Sequence, residues 1–175
     1  MLRSMRFPEN PVFAALRALG AALAIALALC TCAVAQTAPT DHAFGFDMRY
    51  DDQDAEVLDY RYGDSNLPVR APESAVREAK TFAFAGVHGP MLRGDSLYVK
   101  WRTRDTGEVY EDTVDLRRRL PADMTGYRIH LIIRGPQLYV YLVSPQRRPA
   151  DMPPKGPEIY NYRIVTTIYP DEEKP

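Results

Sequence analysis

From residue 43 onward, apolar and polar residues alternate along most of the chain. Phe44, Phe46, Met48 and Tyr50 fall on one face, with Gly45, Asp47 and Arg49 between them. A period of two predicts a strand with one wet side. Asp51-Asp52-Gln53-Asp54 interrupts it as an acidic turn. Leu58, Tyr60 and Tyr62 then alternate with Asp59 and Arg61 up to Gly63, so residues 43–63 read as an antiparallel hairpin. Pro68 and Pro72 break the pattern, and residues 74–80 contain helix formers with Pro72 at the first turn. A helix that short needs tertiary contacts to persist. Phe82 and Phe84 resume the period of two, and Gly86, Gly89 and Pro90 read as a loop.

The second half repeats the pattern more strongly. Leu97, Val99 and Trp101 oppose Tyr98, Lys100 and Arg102. Asp105-Thr106-Gly107 supplies a hairpin turn, and Tyr110, Val114 and Leu116 form the return face. Residues 117–126 read as an irregular connection. Tyr127, Ile129, Leu131 and Ile133 then alternate with Arg128, His130, Ile132 and Arg134, and Gly135-Pro136 turns the chain. Gln137 to Val143 is apolar on both faces, which predicts a central or doubly covered strand. Five prolines between Ser144 and Pro157 argue against regular structure there. A last strand over 158–169 places Tyr160, Tyr162, Ile164 and Ile168 on one side, followed by a charged tail. Together these elements predict a mainly β fold: an antiparallel β-sandwich or curved sheet of about eight strands with one short helix.

The N-terminus follows a different rule. Arg3, Arg6 and Arg17 precede an unbroken apolar run from Ala18 to Leu29, and Ala33-Val34-Ala35 follows. A basic start, a short apolar middle and small residues before the break mark a secretory signal, with cleavage between Ala35 and Gln36. The run is shorter than the roughly 20 residues a membrane-spanning helix needs. The reading is a signal peptide over 1–35 and a single β-rich domain over 36–175, periplasmic once exported. Cys30 and Cys32 are the only cysteines and both fall in the segment assigned for removal. Two alternatives remain. Lipidation at Cys32 would anchor the domain in the envelope, although Thr31 is a poor residue to precede it; the segment could also stay as an anchor helix.

Arg3, Arg6 and Arg17 account for three of the 22 basic residues and Glu9 for one of the 23 acidic ones, so the remainder carries a formal charge of −3. That mild value argues against a general nucleic-acid binder, which needs a basic face. Catalytic signals are missing. His42 lies in the predicted leader, His88 in a loop, and His130 on the wet face of a strand. None has a second ligand type at metal-binding spacing. There is no nucleophile elbow, no glycine-rich phosphate cradle and, after cleavage, no thiol. No catalytic residue, metal or cofactor is assigned.

Binding candidates are three. Asp51, Asp52 and Asp54 read most simply as a solvated turn and otherwise as negative potential for a basic partner. Arg117, Arg118 and Arg119, with Arg147-Arg148, read as solvated loops or as contacts for lipid head groups or an acidic protein. Tyr139 and Tyr141 read as packing or as anchors of a protein interface.

One resemblance narrows the choice. Leu97-Tyr98-Val99-Lys100-Trp101-Arg102, Thr106-Gly107-Glu108-Val109-Tyr110 and Val114-Asp115-Leu116 carry it. Gly135-Pro136-Gln137-Leu138-Tyr139-Val140-Tyr141-Leu142 and Val165-Thr166-Thr167-Ile168-Tyr169-Pro170-Asp171 add to it. These stretches resemble periplasmic immunity proteins of Gram-negative bacteria, encoded beside type VI secretion phospholipase effectors. The resemblance implies a non-catalytic protein whose partner is a secreted lipase effector, neutralised by occlusion of its active site. The alternative class is a structural or accessory envelope protein that binds lipid or a secretion component.

Overall fold

A computed structural model describes residues 38–65 and 67–171. The predicted signal peptide, its Ala35–Gln36 cleavage point and Cys32 lie outside the described residues. The elements are β1 (Thr40–Asp47), β2 (Ala55–Tyr62), α1 (Glu73–Arg77), β3 (Phe84–Met91), β4 (Ser96–Thr103), β5 (Val109–Asp115), β6 (Arg128–Arg134), β7 (Gln137–Arg147), a 3-10 turn (Glu158–Tyr160) and β8 (Arg163–Tyr169). The predicted eight strands and one short helix are present. They form two sheets, one ordered β3-β1-β6-β7-β8 and one ordered β2-β4-β5. Every pairing is antiparallel except β1 on β6, which is parallel over Ala43–Gly45 and Arg128–His130.

The predicted 43–63 hairpin does not form. β1 and β2 belong to different sheets. Asp51 and Asp52 both take left-handed backbone, with φ of 63° and 51°, and swing the chain across the core. The aromatic residues supply the reason. Side by side on one hairpin, their rings would share a single face; across a sandwich they stack and bury each other. Phe44 stacks on Tyr62 with centroids 5.6 Å apart, and Phe46 meets Tyr60 edge-on at 5.2 Å. Ile129, Leu131, Ile133, Leu138 and Val140 from the larger sheet join Val57, Leu97, Val99, Trp101 and Val114 from the smaller in the same core. The Trp101 indole N–H donates to the Gly135 carbonyl at 2.9 Å, tying β4 to the β6–β7 turn.

Three other expectations are corrected. Residues 86–90 are strand, not loop: among the described residues β3 is an edge strand that pairs with β1 alone, and an edge tolerates Gly86, Gly89 and Pro90. β7 continues through Pro145 to Arg147 because β6 stops at the Arg128–Val143 pair. Past that point only β8 flanks the strand, so the missing proline N–H interrupts no ladder between two strands. In β8 the buried residues are Val165 and Ile168, not one even-numbered face. A register shift opposite Val140/Tyr141 turns Ile168 inward, while Tyr160 lies in the 3-10 turn and Tyr162 is exposed.

Candidate functional site

The acidic corner is partly turned inward. Asp51 is buried, and its Oδ1 accepts the Glu158 backbone N–H at 2.8 Å. Asp52 is exposed, and the Asp54 carbonyl accepts the Arg104 N–H at 3.2 Å. Gln53, between them, was not singled out by the sequence. It is buried; its Nε2 donates to the carbonyls of Asp47 (2.8 Å) and Tyr50 (3.0 Å), and its Oε1 accepts the Ile133 N–H at 2.8 Å. Gln53 thereby satisfies a β6 amide beyond the short β1–β6 ladder.

The arginine run is largely engaged within the fold. Arg117 grips Asp115 in a fork, Nε to Oδ1 at 2.9 Å and Nη2 to Oδ2 at 2.6 Å, which holds that carboxyl well below the usual carboxylate range. Arg119 grips Asp171, donates to the Ile168 carbonyl, and sits 5.8 Å from the Tyr169 ring centroid. The Tyr169 hydroxyl donates to Asp112 Oδ2 at 2.6 Å, so the β5 and β8 edges are stitched together. Arg118 is exposed. Arg148 donates to the carbonyls of Asn161 (2.7 Å) and Pro149 (3.2 Å) and to that of Met152. It thereby clips the proline-rich strap that joins β7 to β8.

Tyr139 and Tyr141 are half-buried on the outer face of the five-stranded sheet. Burial pushes the Tyr141 hydroxyl up; Arg134 opposes the rise, and Tyr139 and Asp51 add to it. Of the expected binding residues, then, Tyr139 and Tyr141 share one face, with Asp51 within electrostatic reach of Tyr141, and Arg117 and Arg119 pair with residues at the ends of β5 and β8.

The histidines are the main surprise. His42 lies in β1, not in a leader, and is fully buried. Its Nδ1 donates to the Thr40 carbonyl at 2.8 Å, which leaves Nε2 to accept the Tyr62 hydroxyl at 3.2 Å. Burial lowers the His42 pKa and pushes Tyr62 up to about 12. His130 is not a surface residue: it is 3% exposed, and neither ring nitrogen has a hydrogen-bond partner among the described residues. Burial lowers its pKa to about 4, with Arg128 adding to the shift and Asp47 opposing it. Tyr160 from the strap covers His130, with ring centroids 5.2 Å apart and edge-on. The sequence held one signal of this cover: Ile132 shares the His130 face and is also buried.

Two clefts accompany these groups. A groove of about 690 Å³ runs between α1 and the outer face of the three-stranded sheet. Asp59, Tyr98, Arg61, Arg70 and Arg77 line it, and Val76 stands exposed at its rim. Burial raises the Asp59 pKa. Tyr98 donates to Glu111 at 3.1 Å and is pushed up to about 12 by burial and that bond. Beyond the groove the same face is laced by Arg102–Glu56 (3.0 Å) and Lys100–Glu111 (3.7 Å) pairs. A second cleft, about 350 Å³, lies between β3 and the strap, beside His130.

Among the described residues, no three His, Cys, Asp or Glu side chains gather as a metal site, and no helix is long and apolar enough to cross a membrane. Compared with known proteins, the chain matches no protein-family model, no curated protein and no solved structure.

Proposed function

We propose that this is a non-catalytic binding protein of the periplasm, an immunity protein that neutralises a type VI secretion lipase effector by covering its active-site entrance. The observation that carries this reading is the groove beneath α1. It joins a concave trough to a sheet face of alternating charge, a combination suited to an inserted loop with a polar rim around it. Tyr98 and Arg70 are of the residue types that anchor such contacts. A stable complex needs roughly 800 Å² on each partner, more than the groove alone supplies, so the ion-paired face around it takes part. The resemblance noted in β4, β5 and β7 supports the choice of partner.

The envelope-accessory alternative rests on the arginine loops. Arg117, Arg119 and Arg148 already serve internal ion pairs and hydrogen bonds, which reduces what those loops offer to lipid. The test is to mix the purified protein with a phospholipase effector from its gene neighbourhood. A stable complex and loss of lipase activity are expected, both weakened by Arg70→Glu. Absence of a complex would sink the reading.

A further inference from the structure

The cleft between β3 and the strap contains two groups equipped to hold an anion, both covered by the Tyr160 ring. His130, in its floor, is almost wholly buried, and both ring nitrogens lack a partner among the described residues. Buried polar groups without partners are rare in folded proteins and call for an explanation. Arg128 lies two residues away on the same face of β6. It is half-buried and forms no ion pair among the described residues. Its guanidinium carbon sits 5.9 Å from the Tyr160 ring centroid, and its Nη1 crosses the floor 3.3 Å from where a Cβ on Gly45 would stand. Gly45 pairs with Gly86, so the floor beside Arg128 is bare backbone. A side chain at Gly45 would meet the Ala85 carbonyl at 2.7 Å and fill that space. Phe84, 60% exposed, and Ile159 flank the cleft.

We infer that Arg128 and His130 form a binding site for a small monocarboxylate carried on an apolar body, with Tyr160 as its lid. The guanidinium fork matches a planar carboxylate with two parallel N–H bonds, and neutral imidazole adds one N–H donor. The apolar body rests against Phe84 and Ile159. The charge around the site selects a monoanion. Asp47 of β1 faces the same cleft, its own charge balanced by Arg49 at 2.6 Å. His88 of β3 is 3.3 Å from Asp41, and β7 presents Tyr141 opposite His130. Whatever repulsion Asp47 retains beside its Arg49 partner weighs about twice as heavily on a dianion as on a monoanion.

Tyr160 can leave without unfolding the strap. The strap is held on either side of it, by the Glu158 N–H on Asp51 and by Arg148 on the Asn161 carbonyl. Swinging the ring out exchanges the Arg128–ring and His130–ring contacts for carboxylate bonds. Ligand and Tyr160 thus compete for the same two groups. This site stands apart from the partner reading, because the groove beneath α1 is formed by other elements.

The test follows the His130 and Tyr160 resonances of the intact chain by NMR while phenylacetate, acetate or inorganic phosphate is added. Saturable shifts with phenylacetate are expected, with acetate and phosphate at least about tenfold weaker because they lack the apolar body or add charge. Tyr160→Ala removes the competitor and should tighten phenylacetate binding several-fold. Arg128→Gln should weaken it by about tenfold or more while leaving the fold intact. No saturable shift in either the wild type or Tyr160→Ala would overturn the site. Unchanged affinity in Arg128→Gln, or phosphate binding as tightly as phenylacetate, would overturn its chemistry.

Discussion

Gln53 makes three hydrogen bonds from a position that looks, in sequence, like one more polar residue of an acidic turn. Replacing it with leucine leaves the Ile133 amide and the Asp47 and Tyr50 carbonyls short of a partner. A loss of about 1–3 kcal/mol in urea unfolding is expected, chiefly the cost of stranding the buried Ile133 N–H. His130 provides the pH dependence. Its pKa in the fold is about 4 against an ordinary value of 6.5. As pH falls below 6.5 the unfolded chain takes up a proton that the folded chain refuses until about pH 4. The contribution of His130 to stability is therefore full above pH 6.5, declines between 6.5 and 4, and is flat below. The decline is on the order of 3 kcal/mol. His130→Phe should flatten the stability–pH curve in that window. His42, lowered in the same direction by burial, keeps a residual slope. Neither residue was legible beforehand, because alternation reports which face a side chain takes and not whether a later segment covers that face. The strap that covers His130 comes about thirty residues later.

At the scale of elements, periodicity located nearly every strand, and it failed where context overrides local chemistry. Gly86, Gly89 and Pro90 look like loop residues, yet an edge strand accepts them. Pro145 looks like a stop, yet β7 passes it where β6 no longer pairs. Sheet membership was also hidden, since a hairpin and a sandwich crossover share the same alternation, and only the need to stack four large aromatics separates them. Gly94, between β3 and β4, shows how tightly that stack is held. A Cβ there would come within 2.5 Å of the fully buried Tyr62 ring. Gly94→Ala should cost about 1–3 kcal/mol in thermal or urea unfolding through overpacking. Gly107→Ala serves as the contrast. Its φ of 72° makes any side chain strained, but no described residue lies within 4 Å of its Cβ position, so its cost is backbone strain, about 1 kcal/mol.

At the scale of the molecule, the two-layer β fold was legible from strand count and spacing, whereas the surface clefts were not. The charged runs that stand out in the sequence are partly absorbed into closure, with Asp51 holding the strap and Arg119 tying the connection after β5 to β8. The clefts are assembled from residues that look ordinary one at a time: Asp59, Tyr98 and Arg70 in one, Gly45, Arg128 and His130 in the other. If the α1 groove carries recognition, Tyr98→Ala should weaken a protein complex by about 1–2 kcal/mol in calorimetry, while Arg118→Glu changes it little. The most direct measurement is the hydrolytic rate of the proposed partner, a type VI phospholipase effector, with and without one equivalent of this protein. Stoichiometric inhibition, relieved by Tyr98→Ala and Arg70→Glu, is the expected result; an unchanged rate with saturating protein would contradict the proposal that it acts by covering that active site.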